Sequence, residues 1–168
     1  MFEQLLKEAE EEGLEVISWS LQEKTKGLYC DGFIVLNKNI PTTSERACII
    51  AEELGHHYTT AGNILDQKVI SNRKQEIKAK RWAVKRMIQT KDFIKAFEAG
   101  ITNKAELVEF LNITEKFLDI AIDHFRRIHG QYCEINGYII CFDPLWVFKK
   151  TDTQWGYCEA QEAPERIE

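Results

Sequence analysis

The chain has 168 residues, of which 44% are hydrophobic, and its formal net charge is −5. This length and apolar content support one compact domain with its own core, while the acidic balance argues against a duplex-binding protein. The five cysteines lack C-x-x-C spacing, and the N-terminus is acidic where a secretory leader would be basic and then apolar, so we expect a reduced, cytoplasmic protein without a membrane span.

Residues 1–90 predict an α+β core. Residues 2–12 have the pattern of an acidic amphipathic helix, and residues 15–21 alternate as a strand. Two further strands, over residues 27–29 and 33–36, are joined by a tight-turn signal at residues 30–33. Together these segments predict a small antiparallel sheet that precedes the next helix.

The next segment predicts a mostly buried helix. Thr42, followed three residues later by Glu45, is a capping-box pattern, and residues 47–51 are apolar. Polar groups in such a helix need partners, because an unpaired carboxylate is strongly destabilising once it loses its water. The helix nevertheless carries four titratable side chains: Glu52, Glu53, His56 and His57.

These side chains resemble the H-E-x-x-H pattern of zinc-protease helices, with glutamate in place of the first histidine. Residues four apart share one helix face, so Glu52 and His56 can converge on one ion. Glu53 lies about 100° further around the helix, where a carboxylate can reach a metal-bound water without binding the metal. The pattern predicts Glu52 and His56 as metal ligands and Glu53 as the general base. The alternative is a partly solvated polar strip paired with lysines and arginines further along the chain.

A second helix is predicted to begin at Asn72, with Gln75 in the reciprocal capping position. On this helix Glu76, Ala79 and Ala83 share a face. Because small alanines let two helices approach closely, Glu76 can meet ligands presented by the preceding helix. The spacing therefore predicts Glu76 as a third metal ligand, in a zincin-like pair of helices.

Both helices resemble those of the ImmA/IrrE family of metallopeptidases, which lie beside repressors in phages and integrative elements. Residues 48–58, CIIAEELGHHY, are similar to the family's apolar-A-H-E-L-G-H-aromatic helix. Residues 76–83, EIKAKRWA, are similar to its E-x-x-A-N-x-F-A helix. With the strands before them, the similarity covers about residues 14–90.

The resemblance implies that His56 and Glu76 bind zinc and that Glu53 is the catalytic base. It also implies a helix-turn-helix repressor as the protein substrate, and an edge strand that pairs with extended substrate. Two positions depart from the family pattern: Glu52 stands where the family has histidine, and Lys80 stands where it has asparagine.

The glutamate at position 52 changes the charge of the predicted site. Zn²⁺ held by two histidines and one glutamate keeps a net charge of about +1, whereas Glu52, His56 and Glu76 bring it to about zero. That change weakens the Lewis acidity that lowers the pKa of a bound water to about 7. We expect slower catalysis, or a different ion such as Mn²⁺, which suits oxygen-rich sites.

Other ligand sets stay open at this point. Glu53 and His57 are also four residues apart, but as ligands they would place Leu54 in the position of the base. His57 would otherwise orient a carboxylate or stabilise an oxyanion. Asp66 is a replacement ligand, a residue that supports a ligand, or an ordinary loop aspartate. Cys48 is a further candidate ligand, although burial also accounts for it.

The rest of the chain predicts a helical segment and a hairpin. Three short helices are predicted over residues 92–99, 104–111 and 114–129. Part of this segment resembles a helix-turn-helix, but residues 91–129 hold six Lys or Arg against seven Asp or Glu, which argues against direct DNA binding. Asn136-Gly137 between two alternating segments predicts a β-hairpin.

The predicted organisation is a metallopeptidase-like core over residues 1–90, a helical bundle and hairpin packed on it over residues 91–150, and a polar tail over residues 151–168 that we expect to be mobile. Residues 68–95 form a basic stripe, with ten Lys or Arg against two acidic residues. The stripe is either a solvated face balanced by the acidic first helix or a docking surface for an acidic protein or nucleic acid.

Taken together, these patterns and the resemblance predict a cytoplasmic, phage-type zinc endopeptidase that cleaves a helix-turn-helix repressor. The main alternative is a catalytically silent protease-like protein that binds the repressor without cleaving it, and Glu52 favours this alternative. A DNA-binding module that uses the basic stripe is a weaker third hypothesis.

Overall fold

The computed structural model describes residues 1–30, 32–59 and 69–150. Its helices are α1 (Phe2–Glu11), α2 (Thr43–Thr59), α3 (Val69–Met87), α4 (Thr90–Glu98), α5 (Lys104–Leu111) and α6 (Glu115–His129). Its strands are β1 (Glu15–Trp19), β2 (Gly27–Cys30), β3 (Phe33–Asn37), β4 (Tyr132–Ile135), β5 (Tyr138–Phe142) and β6 (Leu145–Lys149). The α+β class is confirmed, and the predicted tail over residues 151–168 lies outside the described residues.

The N-terminal sheet is mixed, so the prediction of a purely antiparallel sheet is wrong. β2 and β3 pair antiparallel as expected, but β1 pairs parallel with β3, in the order β1-β3-β2. The central position suits β3, whose Ile34, Leu36 and Asn37 are buried. Residues 20–26 connect β1 to β2 and are long enough to cross β3, since neighbouring strands lie about 5 Å apart. β2 is therefore left at the edge of the sheet.

Helix α2 has the predicted cap and the predicted buried face. The backbone N–H of Glu45 donates to Thr42 Oγ1 at 3.2 Å. The buried residues of α2 are Ala47, Cys48, Ile49, Ile50, Ala51, Leu54 and Gly55. Helix α3 begins at Val69, so the predicted start at Asn72 is wrong. A capping residue contributes only about 1 kcal/mol, and such a local signal does not stop a helix that can continue.

The C-terminal half contains the three predicted helices and the predicted hairpin. Thr114 Oγ1 accepts from the backbone N–H of Phe117 at 3.2 Å and caps α6. In the β4–β5 hairpin, Asn136 and Gly137 have φ of 51° and 78°, as a type I′ turn requires. A third strand, β6, pairs antiparallel with β5, so the predicted two-stranded hairpin is incomplete. Asp143 and Pro144 separate β5 from β6, whose apolar sequence begins directly after them.

A continuous hydrophobic core runs through these elements, from Leu5 in α1 through Ile50 in α2 and Phe117 in α6 to Val147 in β6. This shared core fixes α2 and α3 between the N-terminal sheet and α6. Of the helices that the structure describes, none has the length and apolar character needed to cross a bilayer.

Candidate functional site

The candidate site lies where α2 and α3 pack together. A Cβ placed on Gly55 would lie 2.9 Å from the Ala79 Cα and closer still to the Ala79 carbonyl oxygen, so only glycine allows this approach. Ala79 and Ala83 are fully buried, which matches the small-residue face predicted for α3. The close contact places His56, next to Gly55, opposite Glu76, which lies one turn before Ala79.

His56 and Glu76 touch across this interface. His56 Nε2 lies 3.2 Å from Glu76 Oε1, and the side chains are 21% and 50% exposed. Two donors bound to one tetrahedral zinc ion at about 2.0–2.1 Å would be about 3.3 Å apart. The spacing of these two atoms therefore fits a shared ion, and a solvent-facing glutamate leaves such an ion open to water.

A third donor does not join them. Within the parts of the chain that the structure describes, no group of three or more His, Cys, Asp or Glu side chains is placed to hold a metal ion. Catalytic zinc sites usually have three protein ligands, so the described residues supply two converging donors and an incomplete set.

Glu52 belongs to the same electrostatic cluster, although it does not complete that set. Burial raises the pKa of the Glu52 carboxyl above its ordinary value, and the negative charge of Glu76 adds to this effect. The ammonium groups of Lys80 and Lys116 oppose the increase. Lys80 Nζ also lies 3.5 Å from Glu76 Oε2, so the two oxygens of Glu76 face different partners, His56 and Lys80.

Glu53 lies against strand β2. A Cβ on Gly27 would be 2.7 Å from Glu53 Oε1, so the absence of a side chain at Gly27 makes room for this carboxylate. Burial and the negative charges of Glu52 and Glu76 raise the pKa of Glu53 to about 7, while a hydrogen bond from the Tyr29 backbone N–H lowers it. A carboxyl group with this pKa exchanges protons readily near neutral pH, as a general base must.

His57 points away from the His56–Glu76 pair. Its Nδ1 is hydrogen bonded to the Tyr29 hydroxyl at 2.9 Å, and its Nε2 lies 3.6 Å from Glu12 Oε2. With both ring nitrogens directed at these groups, His57 and Glu53 are not placed as a joint ligand pair. The geometry instead links His57 to β2, the strand that holds Glu53.

Asp66 and Cys48 are the two remaining candidate metal ligands. Asp66 lies outside the described residues, so its suggested role stays a prediction. Cys48 is buried beside Thr114, and burial raises the pKa of its thiol to about 11. Cys48 therefore acts in packing.

The sequence interpretation missed the contributions of Gly27, Tyr29 and Glu12. Gly27 carried a usable signal, since an isolated glycine in a strand often marks the close approach of another group. Tyr29 and Glu12 had no comparable signal, because their contacts with His57 join residues far apart in the chain.

Part of the basic stripe is paired with acidic side chains, and part of it is exposed to solvent. Arg86 Nε pairs with Glu8 Oε2 at 2.7 Å, as expected if the acidic first helix offsets some of the charge. Other basic residues of α3 are exposed: Arg73, Lys74, Lys78, Arg81 and Lys85. They give the surface around Glu76 a positive character.

An apolar groove lies away from the candidate site. A groove of about 810 Å³ is lined mainly by apolar side chains of α4, α6 and β6, among them Phe97, Ile122 and Trp146. None of the predicted site residues lines it.

A family model described as Peptidase_M78, IrrE N-terminal-like domain, matches residues 9–123, which is more than half of the chain. The matched region contains the N-terminal sheet strands and both site helices, and it extends beyond the residues 14–90 covered by the sequence resemblance. No curated protein and no solved structure matches the chain.

Proposed function

Because this chain belongs to the Peptidase_M78 family of IrrE N-terminal-like domains, a metallopeptidase family, we propose that it is a metal-dependent endopeptidase. The observation that carries the proposal is the distance of 3.2 Å between His56 Nε2 and Glu76 Oε1. His56 lies on α2, the helix that also carries Glu53. His56 and Glu76 would hold the ion. Glu52 shares a face of α2 with His56, and it is the proposed third ligand although it does not join these two donors in the described structure.

The chemistry of the proposal requires a base and a polarising ion. A bound zinc ion would supply Lewis acidity and lower the pKa of a water molecule at the site. Glu53 accepts the proton of the attacking water on a carboxylate oxygen and passes it to the leaving amine. In the metal-free protein the pKa of Glu53 is about 7, which suits proton exchange near neutral pH.

Strand β2 offers a place for an extended substrate. It lies at the edge of the N-terminal sheet, and the backbone N–H of its Tyr29 is hydrogen bonded to Glu53. An extended peptide that adds to such an edge gains main-chain hydrogen bonds with little demand on its sequence. We propose a partner repressor of the helix-turn-helix type as the substrate, with the basic residues of α3 as an electrostatic contact for its acidic surface.

A second candidate function is a silent protease-like protein that binds the repressor without cutting it. The described residues favour it in one respect, since they bring together two donors and not three. Glu52 adds a negative charge in place of the neutral histidine of the family pattern, which would weaken a bound ion as a Lewis acid.

Metal content tests the proposed site. Protein purified without a histidine tag is analysed for zinc and manganese, beside His56→Ala, Glu76→Ala and the control His129→Ala, which removes an exposed histidine of α6. We expect the ion in the parent and the control, and its loss in the two site variants. Equal, negligible metal in all four proteins would remove the ligand assignment.

Cleavage then separates the two candidate functions. The metal-loaded protein is incubated with a repressor encoded beside it, and fragments are identified by mass spectrometry. Glu53→Gln should abolish cutting while the protein keeps its ion. Continued cutting by Glu53→Gln would rule out Glu53 as the base. Binding without cutting by the parent would favour the silent protein, and a salt-insensitive complex would argue against docking through the basic residues.

A further inference from the structure

We propose that the buried imidazole of His124 makes the contact between α3 and α6 sensitive to acid, so that a proton on this ring weakens the packing of the two helices. His124 lies on α6 and none of the candidate metal ligands takes part, so the acid response stands apart from the proposed function. Because α3 also carries Glu76, the response would reach a helix on which the candidate site is built.

His124 lies on the buried side of α6. It is only 7% exposed, and its ring meets that of Phe125 edge-on, with ring centroids 5.6 Å apart. Helix α3 packs against α6, and Val84 of α3 belongs to the same hydrophobic core as Phe117 and Ala121 of α6. A charge on the His124 ring would therefore have little access to water while the two helices stay together.

The Nε2 atom of His124 has no hydrogen-bond partner among the described residues, although it is buried. In the neutral ring this atom forgoes one hydrogen bond. Protonation makes both ring nitrogens donors, so Nε2 would then be a charged N–H group without an acceptor. An unsatisfied charged group costs more free energy than an unsatisfied neutral one. The packing around Nε2 thus favours the neutral ring.

The charges that surround His124 also favour the neutral ring. Helix α3 contributes Arg81 and Lys85, and α6 contributes Arg127 and His129. Burial first, and then these positive groups, lower the pKa of His124 below its ordinary value of 6.5. Strands β4 and β5 also pack on α6, and burial raises the pKa of the thiols that they carry, so these stay uncharged: Cys133 and Cys141.

Carboxylates near α6 are engaged by other cations. Asp119 pairs with Lys104, Asp123 and Asp143 pair with Arg126, and Glu134 pairs with Lys150. A protonated His124 would thus meet repulsion from both helices, while these carboxylates are held elsewhere. The neutral ring contributes its full stabilisation above pH 6.5, and this contribution is lost as the pH falls through the lowered pKa of the folded protein.

Urea unfolding of the metal-free protein at pH 8 and pH 5 tests the acid response. His124→Gln keeps a polar side chain that does not titrate, and His129→Gln removes an exposed histidine of the same helix as the control. From pH 8 to pH 5, the urea midpoint of the parent should fall relative to that of His124→Gln, and the control should follow the parent. The same change of midpoint in the parent and in His124→Gln would overturn the proposal.

An NMR titration of the His124 ring in the parent protein needs no folded variant at position 124. We expect a pKa below 6.5, raised in Lys85→Gln and unchanged in Lys74→Gln, which removes an exposed charge nearer the start of α3. A pKa at or above 6.5 in the parent would overturn the proposal. Hydrogen exchange, corrected for its intrinsic pH dependence, then locates the response: amides of α3 and α6 should lose protection at pH 5 in the parent and keep it in His124→Gln. Unchanged protection of both helices in the parent would also overturn it.

Discussion

The α2–α3 helix pair and the C-terminal half of the protein differ in the side chains that they group together: charged ones in the first and aromatic ones in the second. At the α2–α3 pair, the side chains of Glu52, Glu53, His56 and Lys80 are partly buried and that of Glu76 is exposed, close to a backbone contact that tolerates no side chain. In the C-terminal half, Phe125 stacks on Phe142 with ring centroids 6.0 Å apart, and ion pairs such as Arg126–Asp143 involve exposed groups. Grouped charges destabilise the first region, and the apolar core that both regions share offsets that effect.

The largest expected effect comes from the apolar region. Phe142→Ala removes a side chain that is 2% exposed, and we expect it to lower the free energy of unfolding by about 3–5 kcal/mol. Trp146→Ala, on the next strand and 43% exposed, is the control and should cost much less. Urea unfolding measures both. If the folded Phe142→Ala protein bound zinc more weakly than the parent, the two regions would not be separable.

The next largest expected effect is a gain in stability when Glu53 is replaced. Its pKa is raised from 4.5 to about 7 in the folded protein, so its favourable contribution is complete below pH 4.5 and is lost as the pH rises to about 7. Above pH 7 the ionised carboxylate is a buried, repelled charge. In metal-free protein at pH 8, Glu53→Gln should therefore be more stable than the parent by up to about 3 kcal/mol.

The measurement for Glu53 is urea unfolding with a chelator at pH 5 and pH 8. The advantage of Glu53→Gln should be small at pH 5 and large at pH 8. Glu23→Gln, at an exposed position, is the control and should show no such pH dependence. A pH-independent difference between Glu53→Gln and the parent would contradict the linkage.

A smaller loss is expected at the helix contact. Gly55→Ala places a Cβ against the backbone of Ala79, and overpacking of this kind costs about 1–3 kcal/mol. This outweighs the helix-propensity gain of about 1 kcal/mol from replacing glycine. Because the helices must move apart, zinc affinity should fall as well. A more stable Gly55→Ala protein with unchanged zinc affinity would show that the close approach does not position His56 and Glu76.

The smallest effect is expected at Tyr29. Tyr29→Phe removes the hydroxyl that is hydrogen bonded to His57 Nδ1, and a typical hydrogen bond contributes about 0.5–1.5 kcal/mol. The exposed Tyr132 of β4 provides a control, Tyr132→Phe, that should be neutral. Thermal unfolding compares the two variants. Equal effects would mean that the link between β2 and His57 does not stabilise the site.

Local patterns predicted most of the elements, because they depend on residues close together in the chain. The cap at Thr114 and the Asn136-Gly137 turn depend on contacts over a few residues. The buried face of α2 was visible in the apolar residues of that segment alone. The sequence patterns predicted an antiparallel sheet and missed the parallel pairing of β1 with β3. Strand order depends on which strand needs burial on both edges, and no single segment contains that information.

For the candidate site, the sequence by itself identified the residue types and the spacing that places Glu52 and His56 on one face of α2. Only the tertiary structure decided that Glu76 reaches His56, that Lys80 takes the other oxygen of Glu76, and that His57 turns to Tyr29. The physical reason is that helical periodicity fixes directions within one helix, whereas distances between helices depend on how closely their backbones can approach. Here that approach depends on Gly55 meeting Ala79.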